Sequence, residues 1–403
     1  MNVVYSNKSG KIIHGDNIEA LSTMDENSVD SCISDFPYAI EFMGKNWDSA
    51  KHWNQGKGIH GQFKGTGYSG KKRPAFYANT HEDNIVFYDW CYDRAEQLIR
   101  ILKPGGYAAI FGHPRTNHRM KCAFEDAGFR IVEEIDWCYL TGMPKNQDIG
   151  KLFDKASNSE MAKLYDGWKT AGLKPAHEPI TIFQKPLDGT YIENIKKYGC
   201  GGMNIDACRV PISQEDKDIM DTKASKNPTK GYWGKEDHIY GEYALSVATP
   251  ANDNGRFPMN IILSEDVTDL IDAQTGVTKS TGGSHAGGLG DSSGGSRLFT
   301  IIKYCPKPST SEKTLPDGLR NTHVTVKPVE LIKWLIKLLT PKDGTTIDIT
   351  AGSCTHAVAC EDLNNQDQYN LKWVNIEMMN TDEEPYCEIG KRRLSKSVPM
   401  KLF

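Results

Sequence analysis

Short apolar runs alternate with longer amphipathic stretches along most of this 403-residue chain, and this alternation constrains the fold more than any other feature. Strands buried on both faces of a sheet read as continuous apolar runs, and the stretches between them suit crossover helices. The sequence therefore predicts an α/β fold, with a mostly parallel sheet flanked by helices. The predicted strands are 28–34, 107–111, 130–140, 180–184, 345–349 and 373–376. The predicted helices are 85–102, 115–127, 328–339, 355–364 and 383–394, and 103–106 is a predicted turn.

The alternation is interrupted in the middle of the chain. Residues 188–322 are rich in Gly, Asn, Lys and Asp, and seven of the fifteen residues 282–296 are glycine. Glycine-rich stretches without periodicity are typical of flexible loops, so we expect an inserted recognition region there. The sequence thus predicts three parts, in which 1–187 and 323–403 together complete one α/β domain.

Composition excludes several classes of protein. With 48 Lys and Arg against 52 Asp and Glu, and 38% hydrophobic residues, the chain is neither disordered nor strongly charged. It has no segment of about 18 apolar residues and no apolar run at its start, so we expect a cytoplasmic protein with no membrane partner. The cysteines form no C-x-x-C pair and the histidines no H-x-x-x-H pair, so no metal site is expected.

Local charge is informative in the predicted basic loop, residues 51–80. From Lys51 to Arg73 the chain has six Lys or Arg and no acidic residue, interleaved with aromatic residues and glycines. Such a loop suits the phosphate backbone of a nucleic acid, although a merely solvated surface loop has the same composition. The predicted DNA contacts are Lys57, Lys64, Lys71, Lys72 and Arg73.

The segment Asp35-Phe36-Pro37-Tyr38 follows the first predicted strand, where open α/β sheets bind their ligands. These residue types suit methylation of an exocyclic amino group, a poor nucleophile because its lone pair is conjugated into the ring. The Asp35 carboxylate and the Phe36 carbonyl can accept its two N–H bonds, and Tyr38 can stack on a base flipped out of the duplex. Taken alone, the segment also fits a simple turn with a capping Asp.

A second segment, 346–355, combines a strand with a turn of small residues that opens a helix. Small residues let the backbone approach a nucleoside or amino-acid cofactor closely, and a helix N-terminus favours a carboxylate. Glu377 ends the next predicted strand about 22 residues later, where an acid accepts ribose hydroxyls. A purely structural turn is the alternative for this segment.

Further motifs occur in one characteristic order over most of the chain. They are residues 13–21, 35–38 with 44–48, 102–106, 255–260, 304–307, 323–328 and 346–355. In this order they resemble the amino-methyltransferases of DNA, which act on adenine N6 or cytosine N4. The resemblance is to the group in which the catalytic D-P-P-Y motif precedes the S-adenosylmethionine motif, and particularly to its phage and prophage members.

The resemblance implies a Rossmann-like methyltransferase fold, S-adenosylmethionine as cofactor and double-stranded DNA as substrate. It makes 1–187 the catalytic half, 188–322 the target-recognition region and 323–403 the cofactor-binding half. Asp35, Phe36, Pro37 and Tyr38 are then the catalytic motif. Glu377 holds the cofactor ribose, Lys327 lies near its carboxylate and Asp16 contacts its adenine ring. The full set of implied cofactor-binding residues is Asp16, Thr325, Lys327, Asp348, Thr350, Ala351, Gly352, Ser353, Thr355 and Glu377.

The chain differs from this family in two motifs. D-P-P-Y is D-F-P-Y here, and D-P-F-A-G-S-G-T is D-I-T-A-G-S-C-T, so Thr350 replaces an aromatic residue and Cys354 a glycine. Because Asp is commoner than Ser at the first catalytic position of the adenine enzymes, we expect N6-adenine methylation. N4-cytosine methylation and a catalytically silent DNA-binding relative stay open, as does a homodimer. C5-cytosine methylation is disfavoured, because it needs a cysteine nucleophile in a Pro-Cys pair and the chain has none.

Overall fold

The computed structural model describes residues 1–40, 45–53, 80–142, 144, 146–226, 252–276, 294–302, 321, 323 and 325–397. The five predicted DNA contacts of the basic loop and most of the glycine-rich run 282–296 lie outside these described residues.

One ten-stranded sheet organises the described chain. Its strands are β1 (Asn2–Ser6), β2 (Gly10–His14), β3 (Val29–Asp35), β4 (Leu102–Phe111), β5 (Arg130–Cys138), β6 (His177–Gln184), β7 (Ile261–Ser264), β8 (Thr300–Ile302), β9 (Thr345–Asp348) and β10 (Lys372–Glu377). They lie in the order β1-β2-β10-β9-β3-β4-β6-β5-β7-β8. Among these strands only β1 and β6 run antiparallel to their neighbours. The carboxyl ends of the other eight therefore share one edge, called the carboxyl edge below.

Helices cover both faces of this sheet. They are α1 (Asn17–Ser22), α2 (Ala50–Trp53), α3 (His81–Ile101), α4 (Asn117–Asp126), α5 (Ile149–Lys155), α6 (Ser159–Leu164), α7 (Tyr191–Tyr198), α8 (Gln214–Lys226), α9 (Glu265–Thr275), α10 (Val329–Leu339), α11 (Thr355–Gln366) and α12 (Tyr386–Ser397). Successive strand residues point to opposite faces, so Ile12 and Ile33 pack in one core with α10 and α11, whereas Ile13 and Cys32 pack in the other with α1, α3 and α4. The predicted α/β fold is confirmed.

Some helices and strands have bounds that differ from the predicted ones, because local polar groups or strand pairing fix where they begin and end. Helix α3 begins at His81, four residues before the predicted start, because Thr80 and Asp83 form a capping box. Residues 103–106 are not a separate turn but part of β4. The pairing register slips there, and Gly105 takes a φ of 80°, so the strand continues through an irregularity instead of reversing.

The region assigned to target recognition, 188–322, contributes strands β7 and β8 to the sheet. β7 pairs in parallel with β5, and β8 pairs in parallel with β7. The three-part division and the role of each part stay predictions. None of the described helices is both long and apolar enough to cross a membrane.

Candidate active site

The carboxyl ends of three adjacent strands bring the two predicted segments together. Asp35 ends β3, Asp348 ends β9 and Glu377 ends β10. The segments are more than 300 residues apart in sequence, yet the Ser34 hydroxyl donates to Asp348 Oδ1 across 2.7 Å. Parallel pairing of β3 with β9 and of β9 with β10 therefore builds a single site at the carboxyl edge.

Thr350 joins the two segments directly. Its hydroxyl donates to the main-chain carbonyl of Asp35 at 2.9 Å and lies 2.7 Å from the Ser34 hydroxyl. Its backbone N–H donates to Asp348 Oδ1 at 3.1 Å. Burial raises the pKa of Asp348 to about 7 even though these donors favour its ionised form. The threonine that replaces the family's phenylalanine thus links both segments by side-chain hydrogen bonds, which a phenylalanine side chain cannot form.

Gly352 and Glu377 hold the turn between β9 and α11. The Gly352 N–H donates to Glu377 Oε2 at 2.6 Å, and the Met379 N–H donates to Oε1 at 2.7 Å. Burial raises the pKa of Glu377 to about 7, and these backbone bonds only partly oppose the rise. Gly352 has a φ of 49°, and a Cβ there would lie 2.5 Å from His323 Nε2, so only glycine fits.

Cys354 occupies the position where the family has a second glycine. It lies just before α11 with a φ of 60°, in the left-handed region that glycine adopts readily and other residues rarely. Its side chain is fully buried. Cys354 therefore keeps the backbone conformation typical of glycine, and its side chain also fills space in the core below the turn.

Arg393 of α12 anchors the next two predicted cofactor residues. Its Nη1 donates to the Ser353 carbonyl at 2.6 Å and to the Ser353 and Thr355 hydroxyls at 3.0 Å each. Burial lowers the pKa of this guanidinium. Arg393 was not predicted from the sequence, because nothing in the basic helical stretch at 391–393 marks which residue contacts the turn.

The remaining predicted cofactor residues lie along the same edge. Asp16 caps α1 by accepting the N–H bonds of Ile18 and Glu19, and the preceding Gly15 N–H donates to the Glu377 carbonyl at 3.0 Å. The Ala351 N–H donates to the Ile376 carbonyl at 3.0 Å. The cofactor contacts predicted for Asp16 and Ala351 stay predictions.

Thr325 follows His323, which closes one side of the site. The Thr325 N–H donates to His323 Nδ1 at 3.3 Å. The imidazole ring lies between the rings of Trp47 and Tyr386, with centroids 6.5 and 4.7 Å away. Burial lowers the pKa of His323 to about 4, so the ring is neutral near pH 7.

A half-buried cluster forms around the carboxylate of Asp35, which was predicted to be catalytic. Lys327 Nζ lies 2.6 Å from Asp35 Oδ2, and the Tyr38 hydroxyl donates to Asp35 Oδ1 at 2.9 Å. Burial and the nearby carboxylates raise the pKa of Tyr38, which keeps its hydroxyl protonated. Lys327 was predicted near the cofactor carboxylate; in the structure its ammonium pairs with Asp35, and the cofactor contact stays a prediction.

Glu178 is the fourth member of this cluster and was not predicted from the sequence. β6 runs antiparallel to β4, so its first residues lie at the carboxyl edge. Glu178 Oε1 accepts from the Tyr38 hydroxyl at 3.1 Å, and Oε2 lies 3.4 Å from Lys327 Nζ. Burial raises the pKa of Glu178, and the charge of Lys327 only partly opposes this. Burial lowers the pKa of Lys327, but the charges of Asp35 and Glu178 outweigh it and the pKa is raised.

Phe36 and Asp48 fix the backbone of the predicted catalytic segment. The Phe36 side chain is buried, and its ring packs 5.1 Å from Trp90 at an interplanar angle of 89°. The buried Asp48 carboxylate accepts the N–H bonds of Ala39 at 2.9 Å and of Ile40 at 3.3 Å. These anchors constrain a segment that has one proline fewer than the family motif, and they leave only the backbone of Phe36 for a catalytic role.

Comparisons with known proteins identify the family. A family model described as DNA methylase, for N6 and N4 methyltransferases, matches residues 29–391. The Type II methyltransferase M.HindIII of Haemophilus influenzae is 28% identical over 214 residues. That alignment covers 48% of this chain and 64% of M.HindIII, so the matched part spans less than two thirds of the relative.

Solved structures were also compared with the whole chain. The PvuII DNA methyltransferase (cytosine-N4-specific) is 14% identical, with a TM-score of 0.46 over 98% of this chain and 97% of that one. A protein of Thermus thermophilus, named as a DNA modification methylase and solved with S-adenosyl-L-methionine, is 14% identical, with a TM-score of 0.41 over 96% of each chain. These likenesses are distant, whereas the family model covers most of the sequence. This chain therefore belongs to the DNA methylase family of N6 and N4 methyltransferases.

Proposed function

We propose that this protein transfers a methyl group from S-adenosylmethionine to the exocyclic N6 amino group of adenine in double-stranded DNA. The observation that carries the proposal is the 2.9 Å hydrogen bond from the Thr350 hydroxyl to the Asp35 carbonyl. It makes the amino-binding segment and the small-residue turn direct neighbours. A methyl donor held by one segment is then within reach of an amino group held by the other.

The shape of the turn 350–355 and the carboxylate beside it suit the cofactor. Gly352 packs against the His323 ring with a φ of 49°, so the backbone turns sharply just before α11, as a compact cofactor turn requires. The buried Glu377 carboxylate lies beside the turn and has lone pairs left to accept ribose hydroxyls. Asp16, just after β2, is on the same edge for the adenine ring. When bound, S-adenosylmethionine supplies an electrophilic methyl group.

Asp35 and Phe36 bind and orient the amino group. The Asp35 carboxylate accepts one N–H and the Phe36 carbonyl accepts the other, which draws the nitrogen toward a tetrahedral geometry and frees its lone pair. The Asp35 side chain is 23% exposed, so a base that has left the duplex can reach it. Tyr38 stacks on that base. The negative charge of Asp35 stabilises the positive charge that develops on the attacking nitrogen, and the proton that this nitrogen loses after methylation passes to solvent.

We assign DNA binding to two other parts of the chain. The basic loop 51–80 contacts the phosphate backbone, and the region 188–322 reads the sequence of bases. Adenine is the proposed target because the catalytic segment begins with Asp. A substrate of this kind places the protein in the cytoplasm.

Loss of Asp35 tests the division of labour between the two segments. Purified protein is incubated with methyl-labelled S-adenosylmethionine and unmodified DNA, and label in the DNA is counted. Asp35→Ala should lower turnover by at least about a hundredfold, as expected for one preorganised polar contact, while cofactor binding by calorimetry changes little. Abolished cofactor binding with residual chemistry intact would mean that the roles of the two segments are assigned wrongly.

A further inference from the structure

The Lys327 ammonium and the Tyr38 hydroxyl each lie close to two carboxylates, those of Asp35 and Glu178. Lys327 Nζ lies 2.6 Å from Asp35 and 3.4 Å from Glu178. The Tyr38 hydroxyl lies 2.9 Å from Asp35 and 3.1 Å from Glu178. Both donors are thus closer to Asp35 in this structure, and both already have Glu178 as a second acceptor within reach.

This arrangement conflicts with the role of Asp35 in the proposed reaction. Lys327 contacts Oδ2 and Tyr38 contacts Oδ1, so both donors compete with an incoming amino group for the lone pairs of this carboxylate. An ammonium at 2.6 Å also neutralises the negative charge that should stabilise the attacking nitrogen. Asp35 can therefore bind an amino group at full strength only after Lys327, at least, has moved away.

We infer that Glu178 is a positioning residue, an inference that rests on the proposed function. When the target amino group binds, Lys327 and Tyr38 leave Asp35 and pair with Glu178 instead. The exchange needs only small movements, because every new contact is already 3.4 Å or shorter. It keeps the buried ammonium paired throughout, which avoids the large penalty for an isolated charge. When the product leaves, both donors return to Asp35.

The position of Glu178 suits an acceptor that stays fixed while the donors move. It is the second residue of β6, which lies between β4 and β5 in the sheet. Its side chain is 15% exposed, less than the 23% of Asp35. Lys327 itself is 7% exposed and lies in a segment outside the described helices and strands, so its ammonium can shift without disturbing either. Asp35 is therefore the carboxylate that a base can reach more easily, and Glu178 is the one that can hold the displaced donors.

A variant series tests this exchange by methyl transfer to unmodified DNA at saturating cofactor. Glu178→Gln keeps the shape but lacks the charge that attracts Lys327, so turnover should fall by about tenfold or more. Cofactor affinity should change less than about twofold. Glu178→Asp retains an acid and should keep more activity than Glu178→Gln. Asp136→Asn is the matched control. Asp136 lies on β5, directly opposite Pro179, the residue after Glu178, but its side chain is 45% exposed, so this variant should behave as wild type.

The decisive variant is Glu178→Gln combined with Lys327→Met. If Glu178 serves to draw Lys327 away from Asp35, Glu178 is unnecessary once Lys327 has been removed. The double variant should then be about tenfold more active than Glu178→Gln alone. A structural role for Glu178 predicts no such rescue. Unchanged turnover in Glu178→Gln, or a double variant no more active than Glu178→Gln, would overturn the inference. A wild-type protein that transfers no methyl group would refute the proposed function itself, and this role with it.

Discussion

Gly390 in α12 leaves the space that the side chain of Cys354 fills. A Cβ on Gly390 would lie 2.8 Å from Cys354 Cβ and closer still to its sulfur. Cys354 is in the left-handed conformation at the end of the turn proposed to bind the cofactor, where the family has glycine. The substitution at position 354 is therefore accommodated by a second glycine, 36 residues later in the chain.

This contact predicts that Gly390→Ala destabilises the protein. Ala normally stabilises a helix interior by about 0.5–1 kcal/mol relative to Gly. Here the new methyl overpacks the core against Cys354, so we expect a net loss of about 1–3 kcal/mol in the free energy of unfolding. Urea unfolding measures the change. In a Cys354→Gly background the clash is absent, and Gly390→Ala should then be neutral or stabilising; equal losses in both backgrounds would contradict the contact.

Glu377 should act on cofactor binding more than on chemistry. A ribose contact is shared by the ground state and the transition state, so Glu377→Ala should raise the apparent KM for S-adenosylmethionine more than it lowers kcat. Glu377→Gln keeps one acceptor oxygen, so its cofactor affinity should lie between that of the wild type and that of the alanine variant. Steady-state kinetics at varied cofactor concentration separate the two constants. A lowered kcat with an unchanged KM would assign Glu377 to the reacting groups instead.

Asp348 should make the free protein less stable at alkaline pH. Burial raises its pKa from 3.8 to about 7, so between these values the folded protein holds a proton that the unfolded chain releases. That contribution to stability is fully present below about pH 3.8 and is lost progressively as the pH rises to about 7. Asp348→Asn stays neutral and should gain more stability over wild type at about pH 8 than at about pH 5.

Urea unfolding at the two pH values measures this difference. Asp343→Asn is a suitable control, because Asp343 is exposed and its φ of 63° is one that Asn tolerates. Glu377, whose pKa burial also raises to about 7, should leave part of the wild-type pH dependence in place. The same pH slope in wild type and in Asp348→Asn would argue against a buried, protonated Asp348.

The basic loop should supply affinity for DNA without supplying specificity. Neutralising Lys57, Lys64, Lys71 and Lys72 together should weaken binding to every duplex. It should also reduce the slope of log affinity against log salt by up to roughly one unit per lost phosphate contact. Binding titrations at several salt concentrations measure this slope. An unchanged slope would show that these lysines do not contact the phosphate backbone.

Sequence patterns predicted most of the sheet because its central strands are continuous apolar runs. Four strands were not predicted. β1 lies at the sheet edge with partly exposed residues, β2 has only two buried residues, and β7 and β8 are four and three residues long in a region without periodicity. Gly105 reads as a turn residue in sequence, but its backbone N–H donates to the Lys185 carbonyl at 3.0 Å and the chain continues as β4. Such outcomes depend on tertiary contacts, which local periodicity does not encode.

The candidate site was predictable where residues follow strand ends, as Asp35, Asp348 and Glu377 do. Glu178 was not, because it precedes an apolar run, and only the antiparallel direction of β6 carries it to the carboxyl edge. The pairing of Lys327 with Asp35 likewise joins residues 292 positions apart. Contacts of this kind follow from the order of strands in the sheet, which the sequence pattern left undetermined.

The central claim, methylation of adenine N6, is tested most directly by mass spectrometry of nucleosides. DNA is isolated from cells that express the protein and from cells that express Asp35→Ala, and is digested completely. We predict N6-methyladenine in the first sample, confined to a short defined sequence context, and its absence from the second. N4-methylcytosine as the only new base would contradict the adenine assignment, and no new base at all would indicate a catalytically silent DNA-binding protein.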